Sequence, residues 1–298
     1  MNYKLTHFGL LCSDVEKSLF FYQHQLGSQL TYRAFNRGVN DTAFVGNGSD
    51  ASLELVGAPF LPDEKEHIAR HGFSVHHISF EVDEVDAAFA DIQSRGVKVA
   101  WEPKDMDCTR RCGFYDADGL IFEVYSYPTA TTIATPDLRK PWTLTELELH
   151  HISLLTPDLF RAERFYTENL GLKRVTHHIT ENNGGFIFMV DPLYNGKDHT
   201  CMLEIIGPTD SDEREVPLLR RRAPCFDHLC YVASDTRGAW QAAIDKGAKK
   251  FLEPVEEYGT CIAWVRDPDG NDVEIMRPFS EDQTETFLEG KESICLEK

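Results

Sequence analysis

The chain has 298 residues, 42% hydrophobic and 27% charged, with a formal net charge of −19. This is length for two domains, with enough apolar side chains for their cores. The charge repels phosphate backbones and anionic lipid surfaces, which argues against nucleic acid and membrane partners; the one dense basic run, Arg220 to Arg222, reads as a solvated turn.

The N-terminal stretch carries a charge by Lys4, and its apolar run is too short for a signal segment or a membrane span. A cytoplasmic protein is therefore expected. The eight cysteines show no CxxC spacing and are expected to be free thiols; Cys108 and Cys112 are close enough to consider as a redox or metal pair.

In chain order, four segments open with a histidine in an alternating apolar run, pass a polar turn, continue with helical periodicity and stop at glycine. They begin at His7, His77, His151 and His228, and their glycines are Gly27, Gly96, Gly171 and Gly247. Asp14, Asp158 and Asp235 stand where a helix N-cap is expected, and Asp83 and Glu84 stand there in the second segment. Each segment is followed by short Val-, Ile-, Phe- and Leu-rich runs broken by turn residues, which predict strands. The pattern is thus four strand-helix-strands units in two pairs. A stretch from Tyr127 to Trp142 with three prolines and four threonines separates the pairs and reads as a linker.

Polar exceptions recur at matched spacing. Glu54 and Glu204 sit inside otherwise apolar strands, 23 and 24 residues before His77 and His228; Glu123 and Glu274 each follow those histidines by 46 residues. Both of the latter glutamates close the phrase Asp-x-Asp-Gly-x-x-x-Glu, whose first part is a tight turn. A carboxylate in a strand interior costs several kcal/mol unless something compensates for it. Imidazole nitrogen and carboxylate oxygen together suit divalent Ni, Zn, Co, Mn or Fe, and two of each leave positions open for water and substrate.

These residues carry a resemblance to the vicinal oxygen chelate superfamily, which contains glyoxalase I, methylmalonyl-CoA epimerase and the extradiol dioxygenases. The resemblance covers the chain from Leu5 to Pro278. It implies an α+β fold of two tandem domains, each a pair of βαβββ units forming a curved mixed sheet around a metal cavity. The expected division is a first domain over 1–128, a linker over 129–147, a second domain over 148–280 and a tail over 281–298. The metal ligands it implies are His7, Glu54, His77 and Glu123, and His151, Glu204, His228 and Glu274. Units pairing in sequence give those two sets; units exchanged across the halves combine His7 and Glu54 with His228 and Glu274. His76 and His150, next to ligand histidines, are second choices because strand neighbours face opposite ways.

The implied activity is that of a glyoxalase-like lyase or isomerase with one or two divalent ions. It would move a proton through an enediolate on a small oxygen-chelating substrate, with Glu123 or Glu274 as the base. The alternative is an Fe(II)-dependent ring-cleaving dioxygenase using His151, His228 and Glu274. Against it stands the lack of the additional catalytic histidines in "EIIGPT" and "EYGTCIAWVRDPDG". A third class is a non-catalytic small-molecule binder. Arg111, Tyr115 and Tyr258 are the candidates for substrate contact. The expected partner is a small molecule, and a homodimer stays open.

Overall fold

The computed structural model describes residues 3–35, 41–46, 52–58, 75–106, 109–127, 148–179, 184–191, 201–207, 226–257 and 260–277. The stretch 129–147, the tail 281–298, Arg220 to Arg222, Cys108 and Tyr258 lie outside them.

Each histidine-led segment forms a strand and then a helix, and each unit adds three more strands. The first unit is β1 (Tyr3–Cys12), α1 (Val15–Phe20) widening into a π-helical turn (Phe21–Gln25), β2 (Gln29–Phe35), β3 (Asp41–Gly46) and β4 (Ser52–Gly57). The second is β5 (Val75–Glu81), α2 (Val85–Ser94), β6 (Val99–Met106), β7 (Thr109–Tyr115) and β8 (Ile121–Ser126). The third is β9 (Glu148–Leu155), α3 (Leu159–Arg164) with its π-helical turn (Phe165–Asn169), β10 (Lys173–Ile179), β11 (Gly185–Val190) and β12 (Met202–Gly207). The fourth is β13 (Phe226–Ala233), α4 (Thr236–Asp245), β14 (Lys249–Glu257), β15 (Thr260–Arg266) and β16 (Asp272–Met276).

Local chemistry explains the boundaries. The carboxylates of Asp14, Asp158 and Asp235 accept the backbone N–H three residues on, capping α1, α3 and α4, whereas Glu84 occupies the N-cap of α2 without a side-chain bond. The four stopping glycines all have φ between 77° and 98°, the left-handed region that closes a helix.

The strands form two eight-stranded sheets, and the pairing is exchanged. One runs β14-β15-β16-β13-β1-β4-β3-β2, the other β10-β11-β12-β9-β5-β8-β7-β6. The first unit thus pairs with the fourth, and the second with the third. Each sheet takes one unit from either side of 129–147, so the sheets do not divide the chain into 1–128 and 148–280. In both sheets the join is antiparallel, β1 on β13 and β5 on β9, while the first and last strands of each unit run parallel.

The sequential units of each half meet by another route. Tyr22, on the first π-helical turn, donates its hydroxyl to Asp116 at 3.0 Å; Tyr166 does the same to Asp267 at 2.9 Å. Asp116 and Asp267 open the two Asp-x-Asp-Gly turns, and each also accepts two backbone N–H groups of its own turn. The second aspartates continue the contact: Asp118 accepts from Ser13 and Ser18, and Asp269 from Thr156 and Arg161. The apolar side of this packing includes Phe21 against Phe122, with ring centroids 5.7 Å apart. Sequential units therefore meet helix to turn. The edges of their first strands stay free to pair with the other half.

The second face of each sheet lies under the helices and holds the core, where Phe8, Leu10, Ile78, Phe114, Phe122 and Phe226 are fully buried. No described helix is long and apolar enough to cross a membrane. The described cysteines, Cys12, Cys112, Cys201, Cys230 and Cys261, are free and buried, as expected of thiols that fill core space.

Burial pushes the carboxyls of Asp116 and Asp267 up to about 6, against the bonds from the turn amides and the tyrosine hydroxyls. A carboxyl raised in the fold favours the folded state below its unfolded value, and that contribution is lost as pH rises through the folded one. Each aspartate should therefore withdraw on the order of 1–3 kcal/mol between about pH 4 and pH 6. In urea unfolding across this window, the Asp116→Asn/Asp267→Asn double variant should fall less steeply with rising pH than wild type; parallel profiles would rule the effect out.

Candidate metal centres

Each sheet carries its polar cluster on the antiparallel join. In the first sheet His7 lies opposite Cys230 and His228 opposite Gly9; Gly9 is beside Glu54 on β4, and Cys230 beside Glu274 on β16. This register repeats in the second sheet, where His77 lies opposite Ser153 and His151 opposite Ser79, with Ser79 beside Glu123 and Ser153 beside Glu204. Alternation then turns two imidazoles and two carboxylates to the same face. All eight predicted ligands are brought to a centre, but in the exchanged sets rather than those of sequential pairing.

At the first centre, His7 Nε2 lies 3.4 Å from Glu54 Oε2 and 3.4 Å from Glu274 Oε2. His228 Nε2 is 3.2 Å and 3.6 Å from the same two oxygens. This nitrogen is buried and makes no aligned hydrogen bond, and one donor atom each from His7, His228 and Glu274 lie within 4.8 Å of one another. An orphaned imidazole nitrogen facing two carboxylates fits a divalent cation. The outer nitrogen of His228 meets Asp227 Oδ2 at 2.9 Å, and that of His7 meets Thr6 Oγ1 at 3.4 Å. In the neutral ring that a bound cation requires, donation from His228 Nδ1–H to Asp227 directs the Nε2 lone pair inward.

The electrostatics at this centre call for positive charge. Burial opposes protonation of both imidazoles, but the carboxylates of Glu274 and Glu54 raise His7, and the bonded Asp227 with the nearby charge of Glu54 raises His228 more strongly. Burial would raise Glu54, yet His228 and His7 hold it below the usual carboxylate range. Aromatic walls close around the cluster: Phe44 meets the His7 ring edge-on at 5.1 Å and Trp264 meets His228 at 4.9 Å.

The second centre has the same ligand types in a different setting. His77 Nε2 and His151 Nε2 are 3.1 Å apart; Glu204 Oε2 lies 3.7 Å and 3.5 Å from them, and Glu123 Oε1 lies 3.8 Å from His77. Arg111 Nη1 reaches Glu123 Oε2 at 3.3 Å, Ser79 donates to the other oxygen of Glu123, and Ser153 donates to Glu204. Burial raises Glu123 against the pull of Arg111 and pushes Glu204 up to about 8 despite Ser153. Burial, with the charges of His150 and Arg111, lowers His151 well below the usual imidazole value.

The neighbouring histidines do not simply face away. His76 Nδ1 lies 2.6 Å from His77 Nδ1, and His150 Nδ1 lies 2.7 Å from His151 Nδ1. The register of β5 with β9 shifts between Val75 and His77, and a bulge there swings adjacent side chains toward one another. Among the substrate candidates, Arg111 is at the second centre. Tyr115 ends β7, with the Lys98 ammonium 4.7 Å from its ring centre. The dioxygenase set His151, His228 and Glu274 is split between the two sheets.

Sequence reasoning passed over Ser79, Ser153, Phe44 and Phe188, although the period of two from His77 and His151 pointed to the serines. Phe188 meets the His151 ring at 4.9 Å, as Phe44 meets His7.

Comparison with known proteins gives a consistent picture. The family model described as Glyoxalase/Bleomycin resistance protein/Dioxygenase superfamily matches residues 4–124 and 148–275. The uncharacterized protein YwkD of Bacillus subtilis is 34% identical over 125 residues, which are 40% of this chain and 93% of that protein. The 4-hydroxyphenylpyruvate dioxygenase of Yarrowia lipolytica is 30% identical over 186 residues, 54% of this chain but only 47% of that enzyme. Glyoxalase I from Zea mays superposes with a TM-score of 0.74 at 19% identity, covering 98% of this chain and 97% of that chain, a likeness of fold.

Gly9 offers a test of the first centre that changes no ligand. A Cβ there would stand 2.4 Å from His228 Nδ1, inside any allowed contact. Gly9→Ala should therefore displace His228 and weaken Co(II) binding at this centre by roughly 10–100-fold or more, with the circular dichroism of the fold retained; unchanged affinity would mean that His228 is not a ligand.

Proposed function

The chain belongs to the Glyoxalase/Bleomycin resistance protein/Dioxygenase superfamily, and from that premise we propose that it is a divalent-metal-dependent lyase or isomerase of the glyoxalase I kind. Its substrate would be a small molecule with adjacent oxygens, one beside an acidic C–H. The observation that carries this reading is the first centre, where Glu54 and Glu274 face one another across two buried imidazoles at 3.2 to 3.6 Å.

His7, Glu54, His228 and Glu274 would hold the ion, which when bound supplies Lewis-acid stabilisation of negative charge on the substrate oxygens. The protein supplies the rest. Asp227 fixes the His228 ring and its tautomer, and Trp264 and Phe44 hold the imidazoles edge-on and keep the local dielectric low. Glu274 takes the proton from carbon and returns it to the neighbouring carbon, while Glu54 remains on the opposite side as permanent ligand or complementary acid. A carboxylate suits both directions of transfer because the same group is base in one step and acid in the next. Glu123 holds the equivalent position in the second centre.

The dioxygenase alternative keeps some support. His7, His228 and Glu274 alone make a two-histidine, one-carboxylate set, and 4-hydroxyphenylpyruvate dioxygenase is among the relatives. Glu54 argues for the lyase reading, since it brings a second carboxylate into contact with both imidazoles of that set.

The discriminating experiment follows proton exchange by NMR in D2O over a panel of α-hydroxycarbonyl compounds and hemithioacetals. The protein is reconstituted with Ni(II), Zn(II) or Co(II), alongside an oxygen-consumption assay with Fe(II) and catechols. The expected result is metal-dependent exchange, falling by about 10²–10⁴-fold in Glu274→Gln while metal is retained. Full activity in Glu123→Gln, Glu274→Gln and the double variant would sink the scheme, and oxygen uptake with ring cleavage would replace it with the dioxygenase.

A further inference from the structure

The two centres repeat each other in register but differ at three positions that touch the carboxylates. Arg111 stands twelve residues before Glu123, and the residue twelve before Glu274 is Ile262. Ser79 and Ser153, two residues after His77 and His151, are replaced at the first centre by Cys230 and Gly9. All three changes act in one direction. At the second centre a permanent cation and two hydroxyl donors already engage the carboxylates; at the first, no Lys or Arg among the described residues pairs with Glu54 or Glu274.

We infer that the two centres are unequal metal sites: the first binds a divalent ion tightly, and Arg111 competes for Glu123 at the second so that metal is held there only weakly. The inference rests on the metal-dependent reading above. Its physical basis is charge. An arginine does not lose its proton under any working condition, so a dication entering beside Glu123 must either stay near the guanidinium or displace it. Arg111 is anchored in place, donating from Nε and Nη2 to Thr109 Oγ1 at 2.9 Å and 2.7 Å, which keeps Nη1 on Glu123. Its side chain is three-quarters buried, so water screens the competition little. The bond from Ser153 adds to this by occupying Glu204, which would have to turn its oxygen from a hydroxyl to the ion. Gly9, at the matching place, has no side chain to offer; the Cys230 thiol, a weak donor, stands beside Glu274.

The test is titration of metal-free full-length protein with Co(II), followed by calorimetry and by the visible absorption of the bound ion. His7→Ala and His77→Ala variants assign each binding event to a centre. The expected result is one tight equivalent that disappears in His7→Ala, and a second at least about 10-fold weaker that disappears in His77→Ala. Arg111→Ile, which copies the first centre, should strengthen the weaker event by about 10–100-fold and leave the tight one unchanged. Arg111→Lys should leave it weak, because the charge remains. Two equal equivalents in wild type, or no change in Arg111→Ile, would overturn the inference while leaving the metal-dependent reading standing. No binding at either centre would overturn both.

Discussion

The architecture depends on one constraint: carboxylates placed in the interior of apolar strands must find positive charge. Four glutamates occupy such positions, on β4, β8, β12 and β16, and no unit on its own can answer them. A single βαβββ unit offers one glutamate and one histidine on the cavity face, which is half of a site. Only when two units join first strand to first strand do two imidazoles come to face two carboxylates. The antiparallel join therefore sets both the sheet and the chemistry, and its bulges beside His7 and His77 tune where the rings fall.

The halves of the chain divide the structural labour. Within a half, helix meets turn through Tyr22 and Asp116, or Tyr166 and Asp267; between halves, strand meets strand. The Asp-x-Asp-Gly-x-x-x-Glu phrase serves both relations at once. Its first aspartate receives the tyrosine from the neighbouring unit of the same half, and its glutamate, seven residues on, reaches a centre shared with the opposite half. This explains why the phrase recurs whole. A turn that anchored the helix without aiming the glutamate would lose the centre, and the converse would lose the packing of the half.

Much of this was legible in the sequence, because it rests on short-range regularities. Helix caps, glycine stops and the alternation around Glu54, Glu204, Glu123 and Glu274 are all set within a few residues of themselves. The matched spacing of the units favours His151 over His150 and His77 over His76. The choice between sequential and exchanged pairing was not legible, since every unit presents the same first-strand edge and local pattern cannot say which edge it meets. Nor was the difference between the centres. Arg111 reads as one more strand arginine until β7 is laid beside β8 and its guanidinium reaches Glu123. Tyr22 and Tyr166 each fall fifteen residues after a strand histidine, His7 and His151, but the partner of each lies in a turn about a hundred residues away.

The exchanged pairing has a consequence for how such a chain can change over time. Each half contributes one histidine and one glutamate to each centre, so neither half owns a centre that could be kept or lost by itself. A duplicated gene whose copies make separate centres can let one copy decay freely; here, altering the first strand of either half disturbs a join that the other half also needs. Divergence between the centres is thus confined to side chains that decorate the join without making it, and Arg111, Ile262 and Ser153 are of that kind. The repeat is locked in its frame and free in its trimmings.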